Sequence, residues 1–241
     1  MSVSITNVPV WVSVLFLISF CTVPVFLIAN TVKKALSRTE FKSGPIIRKQ
    51  IIGFYWVYLL SVALVSLSGF FSVNVIPPRI IIATAIPLFL FYILIVQKKE
   101  WFQLVLKNIK LEELIFIHIF RFVGVFFFVN YYFGTLPKDF AFIGGGGDIL
   151  TALLVFPVIY FLKQKKAFAK SLAWIWNIIG LVDIISVLTT AIVITKSAIE
   201  KNEVGVAEFG SFPFSWIPAF APATIIFLHI LTFKKLKQKS S

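Results

Sequence analysis

Charge is what this chain lacks most. Only 14% of its 241 residues are Asp, Glu, Lys or Arg, and ten of them are acidic. A water-soluble domain usually carries about 25%. With 59% hydrophobic residues and a mean hydropathy of +0.96, there is too little polar surface to clothe a soluble core. Cysteine is almost absent too. Cys21 stands alone, which excludes a disulfide within the chain, and its place inside the first apolar run makes it a packing residue. No Lys or Arg precedes that run and no small-residue cleavage site follows it, so the N-terminal segment is expected to be an uncleaved helix rather than a signal peptide.

What the chain has is long apolar runs. A helix needs about 20 apolar residues to cross the hydrocarbon layer. Seven stretches are candidates: 8–31, 51–73, 80–96, 111–133, 149–162, 171–195 and 212–233. The third and fifth are short and are expected to extend into their flanks. The runs are continuous rather than alternating, which favours helices over a barrel. The expected fold is an all-α polytopic membrane protein, a seven-transmembrane-helix bundle forming one domain over residues 1–241.

The formal charge of +13 would point to nucleic acid in a soluble protein. Here the basic residues gather in alternate connections, so no nucleic-acid partner is expected. Eighteen lie around 33–49, 98–110, 163–170 and 234–239, against four (Arg79, Lys138, Lys196, Lys201) on the other side, and Arg121 completes the 23. Because the basic side faces the cytoplasm, the N-terminus is expected outside, the C-terminus inside, and the protein in a bacterial inner membrane. Residues 99–110 mix apolar side chains with lysines, suiting either a helix in the headgroup layer or a plain loop. Trp11, Tyr131, Tyr132 and Trp216 fall near the outer boundary and suit an interfacial aromatic belt.

Charges inside the hydrocarbon are the strongest functional pointers, since an unpaired one costs about 3 kcal/mol even on insertion scales. Two stand out. Arg121 in the fourth span and Asp183 in the sixth both lie about 15 to 18 Å from the basic side at helical rise. They can pair, either anchoring a polar cavity for a ligand or ion, or locking two helices together. His118 sits one turn before Arg121, and His229 in the seventh span lies at a matching depth. The pair of histidines suits interhelical hydrogen bonds or a shared haem b. Trp176, Gly180, Asp183 and Thr190 share a face of the sixth span, with Asn177 beside them, and Ser215, Pro218, Pro222 and His229 share one of the seventh. Spans four, six and seven are therefore expected to line a polar interior. Residues 134–148, with glycines at 144 to 147, read as an outer connection in which Asp148 caps the fifth helix. The Lys-Ser/Thr ending of a phosphate loop is missing there.

Taken together, Arg121-x-x-Gly124, Gly134-x-Leu136-Pro137 with Phe140-Ala141, Gly147-Asp148, Asn177-x-x-Gly180-x-x-Asp183, and Pro218 with Pro222 and His229 resemble the pattern of a family of uncharacterised bacterial seven-span membrane proteins. The resemblance covers about residues 118–230 and implies no function. Two better-known seven-helix families are excluded. The seventh run has no lysine for a retinal Schiff base, and Pro24 and Pro157 precede valine rather than the glutamine of the seven-helix sugar transporters.

The expected function is non-enzymatic binding or passage of a small or lipidic ligand, besides membrane lipids, at a site of Arg121, Asp183, His118, His229, Asn177, Asp148 and Trp176. No metal or cofactor is expected, with haem b held by His118 and His229 as the alternative. An enzyme using Asp148 or Asp183 as acid or base lacks an accompanying nucleophile or metal set.

Overall fold

A computed structural model describes residues 4–203 and 205–238; the side chain of Cys21, and with it the packing expectation, lies outside the described residues. The chain is all-helical, with seven helices long and apolar enough to cross a membrane: Val10–Leu36, Gly44–Leu67, Ile81–Lys98, Leu111–Tyr132, Lys138–Lys163, Ala169–Lys201 and Trp216–Lys237. Among the described residues the only extended pairing is a single bridge between Ile5 and Phe212.

Most boundaries follow local chemistry. The first, fifth, sixth and seventh spans carry lysine in their last turn, and cations suit the negative end of a helix dipole. The second begins at Gly44 rather than 51 because Pro45 presets the first helical turn. The fifth begins at Lys138, eleven residues before the expected start at 149, behind Pro137. Residues 138–148 are thus helix and not connection.

The bundle is apolar outside as well as inside. Val10, Val57, Tyr160 and Val193 point outward, as they must where lipid is the solvent. The seventh span is the hub: 78% of its apolar window is buried, against 22% for the third and sixth. Trp11, Tyr131 and Tyr132 are exposed, but Trp216 is not a belt residue. It is buried, and its indole N–H donates to the Leu59 carbonyl at 2.8 Å. A buried indole needs such an acceptor.

Both ends are tied. Away from the lysine clusters, the hydroxyls of Ser4, Ser72 and Ser211 form a triangle with sides of 2.7, 3.0 and 2.8 Å, joining the N-terminal segment to two connections. At the basic end, Glu113 on the fourth span pairs with Arg38 and with Lys34 at 3.0 Å; the bond to Glu113 raises the Arg38 pKa above its ordinary value. The segment after the third span is a helix, Glu100–Asn108, with Phe102 and Val105 buried against the bundle. Its terminal carbonyls, which no helix can satisfy itself, accept from Lys235 (Leu106 at 3.3 Å, Lys107 at 3.0 Å) and from Arg38 (Asn108 at 3.0 Å). Lys235→Met should cost about 1 kcal/mol and speed tryptic cleavage between 98 and 110; unchanged cleavage would mean the lysine does not hold this helix.

Candidate functional site

The fourth span departs from α-geometry where it matters. Ile117–Gly124 winds as a 3-10 helix between the α-helical segments Leu111–Phe116 and Val125–Tyr132. With three residues per turn, side chains three apart eclipse. His118, Arg121 and Gly124 therefore stack in one line, and all three are buried. A continuous α-helix would turn residue 124 roughly 120° off that line.

From there Arg121, fully buried, reaches three other spans. Its Nε donates to Asp148 Oδ1 on the fifth at 2.7 Å, and its Nη2 pairs with Asp183 Oδ2 on the sixth. Nη1 donates to the Gly180 carbonyl at 3.2 Å and to His229 Nε2 on the seventh at 3.3 Å. Four of the five donors of the guanidinium are thus placed.

The state of His229 follows from its neighbours. Asn177 Nδ2 donates to the His229 carbonyl at 3.1 Å, which fixes the amide so that its Oδ1 faces Nδ1 at 2.7 Å. An amide oxygen only accepts, so Nδ1 carries the hydrogen and Nε2 is left to accept from Arg121. Asn177→Leu would leave that buried N–H without an acceptor, at about 1 to 3 kcal/mol. A lower melting temperature in detergent is expected; no change would mean the amide does not orient the ring.

His118 and His229 touch, with ring centroids 4.4 Å apart, and Trp176 stands edge-on to His118 at 5.0 Å while its N–H donates to the Thr151 carbonyl at 3.0 Å. Neither His118 nitrogen has a partner among the described residues. A haem iron between the two imidazoles would require the rings to part.

The glycine run explains how the fifth span comes so close. A Cβ at position 124 would lie 2.7 Å from Asp148 Cβ and 2.9 Å from the Gly145 carbonyl oxygen. One at 144 would lie 2.6 Å from the Phe127 ring, one at 145 would meet the Gly124 carbonyl at 2.7 Å, and one at 147 would overlap the Asp183 carboxylate. Small residues let membrane helices approach this way. Gly180 serves the sixth span likewise, since its Cβ would lie 2.5 Å from His229 Cε1.

Of the residues singled out from sequence, His118, Arg121, Trp176, Asn177, Asp183 and His229 meet in one cluster. Asp148 joins them, but not as a helix cap in an outer connection. It lies inside the fifth helix, 4% exposed and bonded to Arg121. The polar interior is thus lined by spans four, five, six and seven. The Gly180 carbonyl as an acceptor for Arg121 and Gly147 as the seat of the Asp183 carboxylate were not foreseen, and only a helical reading of residues 138–148 would have exposed the latter.

Beside the cluster lies a cavity of about 380 Å³, toward the end away from the lysines. The third and sixth spans flank it, the seventh backs it, and residues from the two connections, among them Phe71, Asn74, Val206 and Phe209, roof it. Among the described residues, Asp148 is its only ionisable lining group. Ile82, Ile86 and Ile192 line it and are also nearly half exposed on the flank, so it opens sideways.

No curated protein and no solved structure matches the chain. A family model described as a domain of unknown function (DUF8737) matches residues 77–237, which takes in the third to seventh spans and the whole cluster. The chain belongs to that family.

Proposed function

We propose that this protein is a single-domain, non-enzymatic membrane protein that binds, or passes across the bilayer, a small or lipidic ligand held in the cavity beside Asp148. In this reading it lies in a bacterial inner membrane with the N-terminus outside and the lysine clusters in the cytoplasm, as the 18-to-4 split of basic residues favours. Reporter fusions at the N-terminus and after Lys110 test that orientation, and a cytoplasmic N-terminus would reverse it.

The observation that carries the reading is the cavity itself. Its volume falls within the range of ligand pockets, its walls are apolar, and one buried charged group converges on it. A purely structural ion pair needs no such space. The sideways opening suits a molecule that arrives from the lipid.

Mass spectrometry of protein extracted with its native lipids tests this. The wild type is expected to retain a defined amphiphile, and Ala191→Phe, which adds bulk to the cavity wall about two turns beyond Asp183 on the sixth span, is expected to lose it while staying folded. Equal retention by both would place the amphiphile elsewhere.

A further inference from the structure

The charges of the cluster do not cancel. One guanidinium faces two carboxylates, Asp148 from the fifth span and Asp183 from the sixth. On the seventh span His229 is neutral, because its Nε2 accepts from Arg121. His118, the cluster's other titratable group on the fourth span, packs against His229 and lies edge-on to Trp176; with no acceptor among the described residues at either nitrogen, it adds no charge. The third span adds no ionisable side chain to the cavity at Asp148. With both aspartates ionised the site would hold one net negative charge, and an uncompensated charge at this depth is unfavourable. One bound proton removes it.

The cavity offers a second way to balance the same charge. Among the described residues it is lined, besides Asp148, by Asn74, whose Oδ1 is buried without a partner, and by no basic side chain. An anionic headgroup would find only Arg121, four of whose donors are already engaged. An apolar chamber with a carboxyl group, a free amide oxygen and no lining Lys or Arg among the described residues suits a positive charge carried on a greasy body.

We propose that Asp148 and Asp183 share one exchangeable proton, and that a lipophilic cation of single charge entering the cavity replaces it. This rests on the ligand-binding reading and names the ligand's class. On entry the cation pairs with the carboxylate, the carboxyl O–H bond breaks, and the proton passes to water or buffer. The cluster is neutral before and after the exchange.

Tetraphenylphosphonium, titrated into the purified full-length protein in weakly buffered detergent with a pH indicator, is the test. Saturable binding with close to one proton released per cation is expected, and affinity should weaken tenfold per pH unit once the site is protonated, as one linked proton requires. Asp148→Asn, which leaves Arg121 and Asp183 matched one to one, should lose both binding and proton release. Asp183→Asn gives the same charge count from the other side and should lose proton release, so the test stands if the first variant fails to fold. A folded wild type that does not bind the cation, or binds it without releasing a proton, overturns the proposal. If a native amphiphile is nevertheless retained in a manner sensitive to Ala191→Phe, the exchange fails and the ligand site stands.

Discussion

Arg121→Ala is expected to lose about 3 to 5 kcal/mol of stability, the usual result of removing one partner from a buried ion pair. The cause is what remains. Asp148 and Asp183 would face each other across an empty space with no counter-charge, the Gly180 carbonyl and His229 Nε2 would lose their donor, and both carboxyls would have to hold protons. Asp148→Asn should behave oppositely. It leaves one guanidinium with one carboxylate, keeps the volume, and retains an amide oxygen that can still accept from Nε. Its melting temperature in detergent should stay near that of the wild type while ligand binding falls. If Arg121→Ala melts like the wild type, the guanidinium is not holding the four spans together.

Gly147→Ala should be nearly as damaging, and its neighbour harmless. An added methyl at 147 overlaps the Asp183 carboxylate, whereas one at 146 meets nothing within 4 Å. Overpacking costs about 1 to 3 kcal/mol, and moving Asp183 off Arg121 adds to it. Gly146→Ala instead removes a poor helix former, worth up to about 1 kcal/mol in its favour. Both alter the same helix by one methyl group, so thermal melts of the two isolate packing from propensity. Equal melting temperatures would mean that the sixth span does not approach the fifth as closely as the Asp183 contact implies.

The spans were legible because lipid imposes one pattern, the long apolar run closed by lysines. Arg121, Asp183 and the two histidines were legible because polar groups in such runs are rare enough to demand partners. The N-terminal half of the fifth span was hidden for a physical reason. Four consecutive glycines are turn formers in water, yet in a membrane helix they make a thin face that admits another backbone. Misreading them put Asp148, already among the expected site residues, at a helix cap instead of inside the fifth span, where it binds Arg121 and lines the cavity. The 3-10 stretch of the fourth span could not be read either, since nothing in Ile117–Gly124 marks it; the ion pairs it aligns account for it. Trp216 misled through position alone. An aromatic near a span boundary can face lipid or the hub helix's neighbours, and only the Leu59 carbonyl decided which.

If one arginine and two aspartates form a single electrostatic unit, their substitutions cannot add. Thermal unfolding in detergent of Arg121→Gln, Asp148→Asn, Asp183→Asn and the triple variant measures this directly. Neutralising all three together should restore much of what Arg121→Gln loses alone, because the carboxylates that it strands are gone, and coupling among contacting residues should exceed about 0.5 kcal/mol. A triple variant whose loss equals the sum of the three single losses would show that these side chains do not meet.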